Sequence, residues 1–198
     1  MSEQLMIDIA LGNPIDIIGM NVNDMLLALE YGVDINQIDQ DGETALTDAS
    51  LKGHTEVVEL LLAHGVDVNQ TNQYGCRTAL INASMTDSVE VVKLLLAHGA
   101  GAKGKQTNPA LILASRNGHV EVAKLLLAHA ANVNYSSQYG DTPLIIASRN
   151  NHVEVVKLLL TYDTNINQTN LDGETALSEA SLKGHTEVVK LLRKHGAV

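Results

Sequence analysis

The chain has 198 residues, 45% of them hydrophobic, with no Phe, no Trp, five Tyr, one cysteine and a formal net charge of −10. That length suits one domain or one elongated array whose core has to be aliphatic. A lone cysteine excludes an internal disulfide framework, and no run approaches the roughly eighteen apolar residues of a membrane span.

The charge is concentrated at the start. Residues 1–51 hold ten acids and no Lys or Arg, so from Lys52 onward 13 acids balance 13 bases. An acidic first quarter repels nucleic-acid phosphate and anionic lipid, which argues against both as partners. The opening "MSEQLMIDIALGNP" carries acids where a secretory leader carries bases, and the expected setting is cytoplasmic.

In chain order, "MSEQLMIDIALGNPIDIIGM" matches no later segment, whereas "NDMLLALEYGVDINQIDQ" reads as a helix running into a turn. Residues 1–38 are therefore taken as a degenerate first unit. Residues 41–58, "DGETALTDASLKGHTEVV", return at 172–189 as "DGETALSEASLKGHTEVV", identical at 16 of 18 positions. Recent duplication and an engineered or consensus-like array explain that identity equally well. The recurring triplet leucines, Leu46, Leu80, Leu111, Leu144 and Leu177, are spaced by 34, 31, 33 and 33 residues. They divide the chain into units 39–71, 72–103, 104–136, 137–169 and 170–198.

Each unit reads as two short helices. Thr44, Asn108 and Thr142 are placed to cap the first, with Pro109 and Pro143 at the first helical position, where no N–H is needed. Gly53, Gly118 and Gly184 supply the left-handed residue that ends it. Val57, Val58, Leu61 and Leu62 give the second helix an apolar stripe, and "GVDVNQTNQYG" is the turn to the next unit. A pair this short buries its apolar side only by stacking on neighbours. The segment "HGAGAKGKQTNPALILAS", residues 98–115, breaks the pattern. It lacks two turn residues and has Thr107 where other units have Gly, while the preceding unit carries one extra residue near Cys76 and Arg77. We read it as a remodelled turn tip bearing Lys103 and Lys105, since the helices on both sides are intact.

The period, the T-A-L/T-P-L opening, the G-H before the second helix, and the E-V-V-K-L-L-L and G-x-D-V-N closings resemble ankyrin repeats over residues 39–198. The resemblance implies an all-α solenoid of helix-turn-helix units with β-hairpin-like turns, five full repeats plus a degenerate N-terminal cap repeat, in a single domain over 1–198. The histidine of the family's T-P-L-H is replaced by Thr47, Ile81, Ile112, Ile145 and Ser178, leaving one local hydrogen bond unassigned. Arg193-Lys194 stand where earlier units have Leu62-Ala63, Leu96-Ala97 and Leu127-Ala128. An unpaired charge is costly to bury, so that face is expected in water, at the end of the array.

Little points to chemistry. The eight histidines fall into two repeat-locked sets, His54, His119, His152, His185 and His64, His98, His129, His195, whose spacing fits packing and helix capping rather than a zinc site. Cys76 has no base marked beside it, and no phosphate loop, nucleophile elbow or paired-carboxylate motif occurs. We expect no catalytic residue, cofactor or metal, and no enzyme.

Ankyrin-like solenoids hold protein partners on a concave face of turn tips and outward first-helix positions. Carried over by position, that face comprises Tyr74, Arg77 and Met85, then Lys105, Arg116 and Asn117, then Tyr139, Arg149 and Asn150. Three of the four Arg fall there, and Tyr with Arg is enriched in interface hot spots. The Arg fork binds carboxylates bidentately. The expectation is a monomeric, non-enzymatic adaptor, scaffold or inhibitor that holds a protein partner, through an acidic segment of it, on the concave face of the middle repeats. The alternative is that the acidic N-terminal lobe binds a basic partner with the repeats as scaffold.

Overall fold

A computed structural model describes Leu5, Asp8, residues 15–39, 42–72, Gly75, 77–101 and 106–198. Tyr74, Cys76, Lys103 and Lys105 lie outside the described residues. The sequence reading treats 1–198 as one domain; by its internal contacts the chain divides into two compact units, Met1–Ala100 and Gly101–Val198. The division falls in the turn that breaks the repeat pattern.

The first unit contains α1 (Val22–Glu30), α2 (Ala45–Lys52), α3 (Thr55–Ala63), α4 (Ala79–Met85) and α5 (Val89–Ala97). The second contains α6 (Thr107–Asn117), α7 (Val120–Ala128), α8 (Pro143–Arg149), α9 (Val153–Leu159), α10 (Ala176–Leu182) and α11 (Thr186–Lys194). Among the described residues there is no strand, only an isolated antiparallel bridge between Ile38 and Thr44.

Helices of seven to eleven residues are marginal alone, and here they are held by two layers. In the first unit α2 packs on α4, and α1, α3 and α5 pack in sequence. In the second, α8 sits between α6 and α10, and α9 between α7 and α11, each first helix packing on its own second helix. The degenerate start thus contributes a second-layer helix, α1, as its sequence indicates. The marker leucines Leu46, Leu80, Leu111 and Leu144 are fully buried, with Leu61, Leu95, Leu126 and Leu159 below them. Each such side chain contributes roughly 1.5–3 kcal/mol.

Four of the turn tips close the same way. The backbone N–H of Asp39, Asn72, Ser137 and Asn170 donates to the carbonyl of Glu43, Arg77, Asp141 and Glu174 at 2.9–3.0 Å. The pair 72/77 spans one residue more than the others, in keeping with the extra residue in that unit's sequence. Thr44, Thr78, Thr142 and Thr175 then cap the first helices, each side chain accepting the N–H three residues on. At two of the positions where the family carries histidine, Thr47 and Ser178 accept the cap residue's own N–H and complete a capping box.

The remodelled unit departs from expectation. α6 begins at Thr107, so Asn108 lies inside the helix instead of capping it, and Pro109 occupies the third helical position instead of the first. With two turn residues and the tip glycine missing, the remaining residues are taken into an earlier helical start. Asn108 has other work: its Oδ1 accepts the Asn132 N–H at 2.7 Å. Elsewhere that inter-turn bond is made by the Asn of the D-V-N type motif, Asn36 to Asp67, Asn134 to Asn165 and Asn167 to Val198, at 2.7–3.1 Å. Lys103 replaces that Asn in the short turn, and Asn108 supplies the lost acceptor.

Two backbone positions test this account in opposite directions. Gly140 has φ +77°, and a Cβ there would lie 2.7 Å from the Leu171 backbone nitrogen. Ala130 has φ +63° where the matching Gly65, Gly99 and Gly196 are glycine. Gly140→Ala lowers stability by about 1–3 kcal/mol, whereas Ala130→Gly raises it by about 0.5–1 kcal/mol; urea unfolding of the two variants against the parent chain measures both.

Candidate functional site

The expected partner-binding residues divide between the two units. In the first, Arg77 is exposed beside the cap of α4, and Met85 is half-buried at that helix's end. In the second, Arg116 and Arg149 occupy the same place on α6 and α8, five residues after Leu111 and Leu144, and Leu182 holds that place on α10. Tyr139 and Leu171 occupy successive turn tips, joined by a bond from the Leu171 N–H to the Tyr139 carbonyl at 3.1 Å. Tyr139, Leu171 and Leu182 are 62%, 77% and 81% exposed.

Arg149 is not the outward fork that its position implies. Nη1 and Nη2 donate to the two oxygens of Asp141 at 2.9 and 2.7 Å, and Nε donates to Glu179 Oε1 at 2.7 Å. Asp141 Oδ1 also accepts Asn170 Nδ2 at 3.0 Å. The arginine side chain is 26% exposed and the two carboxylate side chains 9% and 11%. Its donors are spent inside the chain, tying α8 to its own turn and to α10. Arg149→Glu would gather three carboxylates at this place.

The electrostatics follow from these contacts. Burial works to raise the Asp141 pKa, but the hydrogen bonds from Arg149 and Asn170 and the charges of Arg149 and Arg116 outweigh it, leaving the carboxyl below its ordinary value. The Arg149 guanidinium is pushed up by its bond to Asp141, against burial, with Glu179 adding to the rise. Arg116, by contrast, is exposed and makes no ion pair among the described residues. Asn150 turns its amide inward, Nδ2 donating to the Ile146 carbonyl at 2.9 Å, and Asn117 is exposed at the end of α6.

Six of the eight histidines bond to backbone carbonyls of the scaffold. His64, His98, His129 and His195 donate from Nδ1 to the carbonyl four residues earlier at 2.8–2.9 Å. The other set stands at the N-cap of the second helices without capping them through the side chain. Instead His152 and His185 reach back, Nε2 donating to the carbonyls of Arg116 and Arg149 at 2.8 and 3.1 Å. Gly118 makes room for this, since a Cβ there would lie 2.5 Å from His152 Nδ1. In the first unit part of the acidity is also structural. Asp16, Asp34, Asp39 and Asp67 accept N–H groups of their own turns at 2.9–3.0 Å.

The pairing of Asp141, Asn170 and Glu179 around Arg149 is not expected from the sequence. A signal is present in the chain: Glu179 follows Leu113 and Ile146 at the matching positions of the two preceding units. A charge replacing an apolar residue on a packed helix needs a partner.

A sequence profile described as ankyrin repeats in three copies matches residues 19–109, 66–137, 101–170 and 131–198, which together span 19–198. No curated protein matches the sequence.

The Arg149 cluster has a measurable signature. Arg149→Ala leaves two largely buried carboxylates without their cation and lowers stability by about 2–4 kcal/mol in urea unfolding. Because Asp141 titrates below its unfolded value of 3.8, the unfolded chain binds more protons in the interval between the two values, and stability falls as pH falls through it. The contribution is complete above about pH 5. Asp141→Asn flattens this acid limb, read from unfolding midpoints between about pH 6 and pH 3.

Proposed function

The chain belongs to the ankyrin-repeat family, whose repeats are in general protein–protein interaction modules, and we propose that it is a non-enzymatic module holding a protein partner against the first-helix ends and turn tips of its second unit. The observation that carries this reading is the exposure of Tyr139, Leu171 and Leu182, three large side chains with apolar bodies left in water on one unit. Singly exposed apolar residues need no explanation. Here two of them sit on neighbouring tips, and the third stands on α10 where α8 carries an arginine. Tyr at such a position adds contact area at low entropic cost.

This narrows the surface expected across the middle repeats to residues 116–183 of one unit. Arg149 and Asp141 support the surface from beneath, while Tyr139, Leu171, Leu182 and Arg116 face a partner. The inferred setting is the cytoplasm, on the strength of the lone cysteine.

The side chains of Leu171 and Leu182 are too exposed to contribute much to folding. Leu171→Ser with Leu182→Ser therefore leaves the melting temperature within about 2 °C of the parent. The same double variant loses the partner recovered by affinity capture and mass spectrometry with the unaltered chain. Recovery at the parent level would refute the assignment of this face.

A further inference from the structure

Arg149 shows how this fold holds a carboxylate, and Arg116 occupies the same place one unit earlier without one. Arg149 is served by an acid eight residues before it and another thirty residues after it, Asp141 and Glu179. Counting the same intervals from Arg116 reaches Asn108 and Ile146. Neither offers a charge. Asn108 spends its Oδ1 on the Asn132 N–H at 2.7 Å, and Ile146 is an apolar side chain buried in the core. Both oxygens of Asp141 accept from Arg149, one of them also from Asn170, so that carboxylate has no pair of acceptor sites left for a second guanidinium to engage bidentately.

Arg116 nevertheless stands near the proposed partner surface. It stands in the last turn of α6, which packs against α8, and its backbone carbonyl accepts from His152 Nε2 at 2.8 Å; the turn that enters α8 carries Tyr139, whose carbonyl is bonded to the tip that carries Leu171. An exposed guanidinium therefore lies on the approach to a two-residue apolar pad. A guanidinium left in solvent keeps its planar array of donors, and a carboxylate brought in by a partner meets the same fork that Asp141 meets at Arg149.

Resting on the reading that this face binds a protein, we propose that Arg116 receives an Asp or Glu side chain of the partner, in a segment whose neighbouring apolar residues pack on Tyr139 and Leu171. The acid substitutes in trans for the one that Asp141 supplies in cis to Arg149. Arg149 and its two carboxylates stay closed throughout and form the fixed floor beside the site. The recognised feature is an acid next to an apolar side chain, which distinguishes this segment from a uniformly acidic tail.

The test uses the full chain and a displayed library of random peptides as probe. The expected result is enrichment of peptides with Asp or Glu beside Leu, Ile or an aromatic residue. Their affinity falls roughly tenfold or more on Arg116→Gln and is only partly restored by Arg116→Lys, which keeps the charge without the fork. Changing the peptide's acid to its amide gives the same loss in the parent chain and little further loss in Arg116→Gln. Peptides that bind Arg116→Gln as tightly as the parent overturn the assignment of Arg116. If those peptides still lose binding on Leu171→Ser with Leu182→Ser, the surface stands and only the carboxylate receptor falls. Retention by both variants, or no enrichment at all, counts against the receptor and the surface together.

Discussion

No helix pair in this chain buries its own apolar stripe, and the rest of the structure follows from that. Leu111 and Leu144 reach full burial because α6, α8 and α10 stand side by side over α7, α9 and α11. Stacking at short range brings polar backbone ends together as well, and these need partners as much as the leucines need cover. The partners come from the adjacent unit: Asn134 for the Asn165 N–H, His185 for the Arg149 carbonyl, and the Tyr139 carbonyl for the Leu171 N–H. Apolar stacking and the polar ladder at its edge are two consequences of one geometry, so a change in turn length has to be answered in both.

The short turn before α6 illustrates that answer. The turn is two residues shorter, and Thr107 and Lys103 stand where other turns have the tip glycine and the Asn that accepts from the next turn. The helix starts three residues earlier relative to its marker leucine than α8 does, and Asn108, brought into the first helical turn, replaces the missing acceptor. A residue type that would ordinarily be read as an N-cap is used as an inter-turn acceptor instead. The loss was therefore compensated locally, which separates it from simple erosion of a repeat.

What the sequence made legible is what repeats with the period. Leucine markers, threonine caps and left-handed glycines each recur at about 33 residues, and the physics that requires them acts within one unit or between identical positions. The histidines are legible in their spacing but only half so in their role, because a residue at an N-cap looks the same whether it caps its own helix or bonds the carbonyl of the preceding unit. The pairing of Arg149 was hidden for a related reason. Its partners lie eight and thirty residues away, one on its own turn and one on the next helix, and comparing like positions down the chain never sets those three side by side. Departures from the repeat had to be read against one another across neighbouring units.

That is also how one scaffold of near-identical units acquires distinct surfaces. The same outward place on α6, α8 and α10 holds an arginine with no ion pair among the described residues, an arginine closed by two acids, and a leucine. The side chain that fills the place does not decide its role; the residues at fixed offsets around it do. Aspartate before α8 and glutamate on α10 turn Arg149 into a clamp, whereas asparagine and isoleucine at the same offsets leave Arg116 open. A carboxylate-binding place is therefore obtained from a structural one by deleting its internal acids, with no change in the arginine or in the helix that carries it. Closing Arg149 keeps the neighbouring positive charge from competing for an incoming acid, so the clamp and the open place work as a pair: one fixes the stack, and the other stays available because the stack is already fixed.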